Sequence, residues 1–367
     1  MKKMLGFLSL LICCTTVFAT PIKYMTFFGD SLTDNGNLYS YLSQQLPKDP
    51  PYFKGRFSNG ITWAEIVGKH YQDNDNVITA NYAVGGATAI LRDPVKGGSP
   101  FEMIDEINLY LSNTTLDEHM NTLYFIWIGA NDYFAEDEQN PDALTTDVVQ
   151  RITDDVQELI NNGGQHFVII DLPNLSKTPR GLAANEELAK RWKRLSFMHH
   201  QKLLNATNTF KSQYPDFSFT FIDSLSALAN PKKYNKKYSK HITNTTDSCW
   251  LGDYMLRKSR SSQYSDIKTF DSELANAYSK NITLLKKTPN ALELSKFIMN
   301  SPTLNEAYRV QKLKESGMTP CENPDNYVFW DTIHPTRVMH EIFANVVIEA
   351  LANDGINNFV VDNRVAH

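Results

Sequence analysis

Apolar and polar positions along the chain follow two patterns, short apolar runs and longer stretches with helical spacing. Short runs rich in β-branched and aromatic residues, each bounded by turn residues, predict buried strands. Five such runs occur, at residues 22–28, 77–83, 123–128, 166–171 and 217–222. Helical spacing separates or follows them at residues 61–71, 101–111, 142–162, 185–213 and 337–351. Strands that alternate with helices predict an α/β fold with a parallel sheet covered on both faces.

The alternation breaks between Cys249 and Cys321. This region is rich in Lys, Ser and Asn, has helical spacing near residues 271–287 and 292–300, and contains no strong strand pattern. We expect residues 249–321 to be an insertion, after which residues 327–331 return the chain to the sheet edge. Two roles stay open for the insertion. It is either a lid, with the RKSRSS run at residues 257–262 as a protease-sensitive hinge, or an excursion that serves stability only.

The first nineteen residues have the composition of an export signal. Lys2 and Lys3 precede an apolar run at residues 5–14 and small residues at positions 17 and 19. This pattern predicts a Sec-type signal peptide at residues 1–19, export through the periplasm, and a secreted domain at residues 20–367. Lipidation of Cys13 is the alternative, although Ile12 is bulkier than the small residue that such a site prefers.

The composition of the mature chain limits its partners. Without the signal, 34 basic and 41 acidic residues remain, so the net charge is −7 with neutral histidines. This balance argues against a nucleic-acid partner and against a membrane held mainly by anionic lipid. Only Cys249 and Cys321 remain. In an exported chain without a CxxC motif or a nearby histidine pair, they favour one disulfide over a metal site.

Reactive residue types follow the predicted strands. Ser31 follows the first predicted strand, Gly86 the second and Asn131 the third. Asp331 and His334 lie where residues 327–331 are expected to bring the chain back to the sheet edge. A serine hydroxyl becomes a useful nucleophile when a histidine accepts its proton and a carboxylate orients that histidine. Two backbone N–H groups, of Ser31 and Gly86, and the Asn131 amide could bind an oxyanion. Each residue alone has a simpler interpretation as a turn, cap or surface residue, but their combination favours catalysis.

Other candidates are weaker. His199 and His200 have no acidic residue at metal-ligand spacing, and we expect them to be solvated or minor core contacts. Asp30 is expected to bond the turn amides that hold Ser31, and Asp34 to act as a cap. The loop at residues 50–60 carries aromatics and cations between Pro and Gly residues. It either shapes a binding site or is a plain surface loop.

Four blocks carry a family resemblance. GDSL at residues 29–32, NYAVGGAT at 81–88, GAND at 129–132 and DxxHPT at 331–336 resemble, in order, the motif blocks of GDSL (SGNH) hydrolases. With the 50–60 loop and the Cys-bounded insertion, the chain is similar to the secreted bacterial phospholipase A/lysophospholipase A and glycerophospholipid:cholesterol acyltransferase group. The likeness covers nearly the whole mature chain, although the insertion is longer than expected for the group.

The resemblance implies a flavodoxin-like, three-layer α/β/α fold with a five-stranded parallel sheet. It implies Ser31 as nucleophile, Asp331 and His334 as the rest of the triad, Gly86 and Asn131 in the oxyanion hole, and no metal or cofactor. The implied reaction cleaves fatty acyl esters of phospholipids and lysophospholipids through an acyl-serine, with cholesterol as a second acceptor. Peripheral membrane contact and an activating protease are implied as well. A carbohydrate O-deacetylase and a non-catalytic membrane-surface protein remain alternatives.

Overall fold

A computed structural model describes residues 22–90, 101–134, 140–250, 298 and 300–356. The predicted signal peptide, the 257–262 run and the predicted helix at 271–287 lie outside these residues, as does 292–300 apart from residues 298 and 300. In the part of the chain that is described, none of the helices has the length and apolar character that crossing a membrane requires.

The centre of the fold is a five-stranded parallel sheet. Its strands are β1 (Tyr24–Gly29), β2 (Ile78–Asn81), β3 (Thr122–Trp127), β4 (His166–Ile170) and β5 (Ser218–Ile222). The spatial order is β2-β1-β3-β4-β5, which is the flavodoxin-like order. Gly29 at the end of β1 lies in register with Trp127 at the end of β3. The predicted α/β class and five-stranded parallel sheet are therefore confirmed.

Helices cover both faces of this sheet. α2 (Trp63–Asp75) and α12 (Arg337–Asn353) contact each other, while α6 (Pro141–Asn161) contacts both α3 (Met103–Asn113) and α8 (Glu186–Gln213), which gives two groups of helices. Right-handed crossovers between the parallel strands place these groups on opposite faces. The described helices are α1 (Asn37–Tyr41), α2 (Trp63–Asp75), α3 (Met103–Asn113), α4 (Leu116–Met120), α5 (Ala130–Phe134), α6 (Pro141–Asn161), α7 (Pro179–Ala183), α8 (Glu186–Gln213), α9 (Ser224–Ala227), α10 (Tyr234–Lys237), α11 (Pro302–Glu315) and α12 (Arg337–Asn353).

The central strands are buried along nearly their whole length. Every residue of β3 is buried, and the Phe125 ring stacks on the Phe27 ring of β1 at a centroid distance of 4.5 Å. Trp63, the first residue of α2, packs edge-on against both rings. Because both faces are covered, these strands have continuous apolar sequences rather than alternating ones. Ile78 on the edge strand β2 is by contrast 61% exposed.

Residues 327–331 lead the chain to the carboxyl edge of the main sheet, where His334 contacts Ser31, but they do not pair with its strands. β7 (Tyr327–Phe329) pairs in parallel with β6 (Asn244–Ser248) in a separate two-stranded sheet. The sequence pattern does not predict β6 because its residues, Asn-Thr-Thr-Asp-Ser, are all polar and show no alternation with apolar positions. A disulfide joins Cys249 to Cys321 beside this small sheet, and the Cys249 N–H donates to the Phe329 carbonyl.

Candidate active site

Ser31 lies in a tight turn directly after β1. Gly29 has φ of +149°, and a Cβ at that position would overlap the carbonyl oxygen of Trp127. A glycine is therefore required where the strand ends. The Asp30 carbonyl accepts from the N–H groups of Thr33 and Asp34, both at 2.9 Å, and the Asp30 carboxyl accepts from Leu32 N–H at 3.0 Å. These bonds fix the turn and hold Ser31 at the carboxyl edge of the sheet, as expected for Asp30.

The structure brings Ser31, His334 and Asp331 together in one chain of hydrogen bonds. His334 Nε2 lies 3.0 Å from Ser31 Oγ, and His334 Nδ1 lies 2.7 Å from Asp331 Oδ2. An ionised carboxylate only accepts, so it places the ring proton on Nδ1 and leaves Nε2 to accept from the serine hydroxyl. All three side chains are buried, and His334 and Asp331 are fully so.

Asp331 is surrounded by hydrogen-bond donors. Its Oδ1 accepts from the backbone N–H groups of Ile333 at 2.8 Å and His334 at 2.7 Å, and its Oδ2 also accepts from Tyr52 Oη at 2.6 Å. Burial by itself would raise the pKa of Asp331. The charge of His334 and the bonds from His334 and Tyr52 outweigh that effect, and the pKa stays below its ordinary value. The carboxylate is thus ionised at neutral pH.

The loop at residues 50–60 lies against the triad and is not a plain surface loop. Tyr52 donates to Asp331, and the Phe57 ring lies 4.9 Å from the His334 ring, centroid to centroid. Gly85 makes room for this aromatic, because a Cβ there would come 2.6 Å from Phe57 Cζ. The sequence pattern indicates the loop but not these two rings, because an aromatic residue in a Pro- and Gly-marked loop has no local feature that marks it as buried.

Asn131 and the Gly86 turn meet beside Ser31. Asn131 Nδ2 donates to the carbonyl of Ala87, the residue after Gly86, at 2.8 Å. Asn131 Oδ1 accepts from Thr303 Oγ1 at 2.6 Å. Within the described ranges, neither Ser31 N–H nor Gly86 N–H has a hydrogen-bond acceptor. Two open backbone donors and the second proton of the Asn131 amide are therefore available at this edge of the sheet.

Two buried acids connect the loops that follow β1 and β2. Asp34 does more than cap a helix, because its Oδ2 accepts from Gly85 N–H at 2.7 Å. Glu106 of α3 accepts from Gly29 N–H at 2.9 Å and Val84 N–H at 3.1 Å. Burial raises the pKa of Asp34 to about 6 and that of Glu106 well above its ordinary value. These contacts hold the serine turn and the glycine turn in a fixed relation.

α11, within the Cys249–Cys321 segment, was not predicted and also reaches the site. Glu306 accepts from Thr332 N–H, between Asp331 and His334, at 3.0 Å. Glu306 also forms a two-point ion pair with Arg309, with distances of 2.6 and 2.9 Å. The Glu306 side chain is 1% exposed. The described part of the segment is thus packed against the loop that carries Asp331 and His334.

An apolar cavity of about 120 Å³ opens at Ser31 and Asn131. Its lining includes side chains from β3, α5, β7 and α12, among them Trp127, Phe134, Phe329, Met339 and Phe343. His340 also lines it and is neutral, because burial lowers its pKa to about 3. A wall of this composition accommodates a hydrocarbon group better than a polar one.

The histidine pair on α8 lies in a different environment from the triad. His199 is a core contact, with Nδ1 2.8 Å from Tyr133 Oη, and burial lowers its pKa to about 3. The His200 ring instead pairs with Asp171 at 2.5 Å, and Asp223 lies 3.7 Å away. Sequence spacing did not reveal this acidic pair because Asp171 and Asp223 follow different strands, β4 and β5.

Comparisons with known proteins show which family the chain is similar to. The sequence profile of the family described as GDSL-like Lipase/Acylhydrolase matches residues 25–347. A phosphatidylcholine-sterol acyltransferase of Aeromonas hydrophila is 27% identical over 317 residues, 85% of each chain. The secreted effector protein SseJ of Salmonella typhimurium is 28% identical over 215 residues, 56% of this chain and 48% of that protein. A thermolabile hemolysin of Vibrio parahaemolyticus is 21% identical and aligns with 90% of this chain and 64% of its own.

Proposed function

The chain belongs to the GDSL-like lipase/acylhydrolase family, and on this premise we propose that it is a serine acyl-ester hydrolase and acyltransferase with Ser31 as its nucleophile. The observation that carries the proposal is the continuous hydrogen-bond chain from Ser31 through His334 to Asp331. In this arrangement the Ser31 hydroxyl has a base, His334, within hydrogen-bond distance, and Asp331 fixes the orientation of that base.

The first half-reaction follows from these contacts. Ser31 Oγ attacks the ester carbonyl carbon while His334 Nε2 takes the hydroxyl proton, and Asp331 stabilises the imidazolium that forms. The carbonyl oxygen becomes an oxyanion, which accepts hydrogen bonds from the N–H groups of Ser31 and Gly86 and from Asn131 Nδ2. Collapse breaks the bond to the leaving alcohol, which receives the proton from His334, and leaves an acyl group on Ser31.

The second half-reaction frees the serine. Water attacks the acyl-Ser31 carbonyl while His334 takes a proton from it. The bond between the acyl carbon and Ser31 Oγ then breaks, Oγ receives the proton from His334, and a fatty acid leaves. An alcohol in the same place gives a new ester instead, so hydrolysis and transfer differ only in the attacking hydroxyl. A cavity that excludes water favours transfer.

We propose phospholipids and lysophospholipids as acyl donors and cholesterol as a candidate acceptor. The apolar cavity at Ser31 supports a fatty acyl group, and the name of the Aeromonas relative supports a phosphatidylcholine donor and a sterol acceptor. Such substrates require peripheral contact with a membrane or micelle. The sequence pattern alone supports the remaining parts of the proposal: removal of residues 1–19 on export, a hydrolase domain at 20–367, and a protease that acts within residues 249–321.

The test is product analysis with purified mature protein. Labelled phosphatidylcholine and lysophosphatidylcholine are incubated with the wild type, with Ser31→Ala, and with Ser212→Ala as a control at a helix surface position. We expect the wild type and Ser212→Ala to release fatty acid, Ser31→Ala to be silent, and added cholesterol to yield steryl ester. A fluorophosphonate probe should label Ser31 alone.

Three results would contradict parts of the proposal. Fatty acid release that survives Ser31→Ala would exclude Ser31 as nucleophile. Steryl ester absent beside active hydrolysis would remove the acyltransferase part. Release of acetate from acetylated xylan, with no fatty acid from any lipid, would replace the lipid substrate with a carbohydrate ester.

A further inference from the structure

Asn131 can serve an oxyanion only if its side chain presents nitrogen and not oxygen. The two ends of a carboxamide have nearly the same shape, so packing alone does not choose between them. If the amide rotated by 180°, Oδ1 would face the developing negative charge and repel it. The contacts that fix the orientation of this amide therefore determine whether the site works.

Two contacts hold the amide, one at each end, and the one with a backbone carbonyl selects its orientation. The Ala87 carbonyl only accepts, so it selects Nδ2 at 2.8 Å. The hydroxyl of Thr303 donates to Oδ1 at 2.6 Å. A donor on the oxygen also polarises the amide and strengthens its N–H groups as donors, by roughly 10–30% per linked bond in condensed-phase estimates.

Thr303 is itself held rigidly. Its side chain is 1% exposed, and a β-branched residue has few χ1 rotamers in a helix. It lies in the first turn of α11, which begins at Pro302 and whose N-cap Ser301 accepts from Leu304 N–H. One turn further, Glu306 accepts from Thr332 N–H in the loop of Asp331 and His334. α11 therefore contacts both the oxyanion side and the acid–base side of the site.

We propose that Thr303 is a positioning residue for catalysis, which holds the Asn131 amide with its nitrogen toward the oxyanion. The inference rests on the proposed function. Because Thr303 belongs to the Cys249–Cys321 segment, the inference gives that segment a third role, the positioning of a catalytic side chain. The other two roles are those of a lid and of a segment that serves stability only. Thr303 acts through Asn131, so it should affect the rate of the acyl-transfer step more than substrate binding.

The test combines three substitutions with steady-state kinetics on a soluble short-chain ester. Thr303→Val keeps the shape and removes the hydroxyl, Thr303→Ser keeps the hydroxyl, and Asn131→Ala removes the amide. Thr207→Val is the matched control, because Thr207 is fully buried and its hydroxyl donates only to the Leu203 carbonyl on α8. Thermal unfolding of each variant reports whether the fold persists, and Thr303→Ala replaces Thr303→Val if the latter does not fold.

We expect Thr303→Val to lower kcat about tenfold with KM within about twofold, since loss of a whole oxyanion donor lowers kcat by about 10²- to 10³-fold. Thr303→Ser should recover most of the rate, and Thr207→Val should match wild type. In the Asn131→Ala background, Thr303→Val should have no further effect.

Equal losses from Thr303→Val with and without Asn131, or a change confined to KM, would overturn the positioning role. Wild-type kcat in Thr303→Val would overturn it too, and would leave the proposed function standing. An inactive wild type with an unlabelled Ser31 would instead overturn the proposed function and this inference with it.

Discussion

Tyr52→Phe removes one hydrogen-bond donor from the candidate triad and little else. Tyr52 Oη lies 2.6 Å from Asp331 Oδ2, and the two side chains are 1% and 0% exposed. The phenylalanine ring fills the same place and contacts the same neighbours, so the cavity left behind is small. The effect of this substitution therefore reports on the hydrogen bond to the carboxylate.

The expected loss of stability is modest because three other donors remain on Asp331. A hydrogen bond to a charged group contributes about 1.5–3 kcal/mol, and we expect about 1.5 kcal/mol at pH 7. The pKa of Asp331 in the folded protein is below its ordinary value, so its stabilisation is present above pH 4 and is lost as pH falls through that folded pKa. Without Tyr52 the folded pKa rises, and acid unfolding should begin at a higher pH.

The same change should move the pH dependence of catalysis. With one donor fewer, the negative charge of Asp331 is less neutralised and attracts the proton on His334 more strongly. The imidazolium is therefore stabilised more strongly in the variant, and an imidazolium in the free enzyme cannot accept from Ser31. We expect the acid limb of kcat/KM to shift upward by a few tenths of a pH unit, with a small effect on the alkaline plateau.

The measurement is a pH–rate profile with a soluble ester, together with denaturant unfolding at pH 7 and pH 4.5. Tyr124→Phe is the matched control, because Tyr124 is fully buried and donates to the His119 carbonyl at 3.0 Å and not to the triad. It should change stability without moving the acid limb. An acid limb that stays in place in Tyr52→Phe, or moves to lower pH, would refute the assigned role of this bond.

Three further predictions test other parts of the structure. Gly85→Ala should lower kcat, because the added Cβ displaces the Phe57 ring from His334. Phe57→Leu should restore part of kcat in the double variant. A wild-type kcat in Gly85→Ala would contradict the importance of this contact. Burial raises the pKa of Asp155 to about 7, so its stabilisation is complete below about pH 4 and is lost as pH rises through 7. Asp155→Asn should then stabilise the protein at pH 8, by roughly 4 kcal/mol at most, and not at pH 4, as denaturant unfolding at the two pH values will show. Replacing Cys249 and Cys321 by Ser should lower the free energy of unfolding by about 2–4 kcal/mol, and an unchanged thermal midpoint would show that the bridge is dispensable.

The sheet and its helices could be predicted from sequence because their signals are local. A strand buried on both faces, such as β3, is apolar throughout, and α6 and α8 repeat their apolar positions with helical spacing. The positions of Ser31, Gly86 and Asn131 follow from the same reasoning, since each lies just beyond a parallel strand. Their meeting at one edge is a consequence of topology and needs no knowledge of side-chain contacts.

β6 and α11 could not be predicted in this way. β6 is a polar strand whose pairing depends on a partner 83 residues away, from Asn244 to Tyr327. α11 lies in a region rich in Lys, Ser and Asn, and its inward face includes polar side chains, Glu306 and Gln311 among them. Local patterns assign a polar helix to the surface, whereas this one is covered because it packs on the loops of the site.

Several contacts that hold the site join residues far apart in sequence through buried polar atoms. Tyr52 and Asp331 are 279 residues apart, and Thr303 and Asn131 are 172 apart. Where parallel strands end, the chain turns away and backbone N–H groups lose their partners in the sheet. A buried N–H without a partner is costly in free energy. Side-chain oxygens, such as those of Glu106, therefore accept the hydrogen bonds that a neighbouring strand would otherwise accept. The N–H groups that the sheet leaves unpaired therefore determine where side-chain acceptors are needed around the site. Which N–H groups these are depends on how the strands pair, and local sequence patterns do not show it.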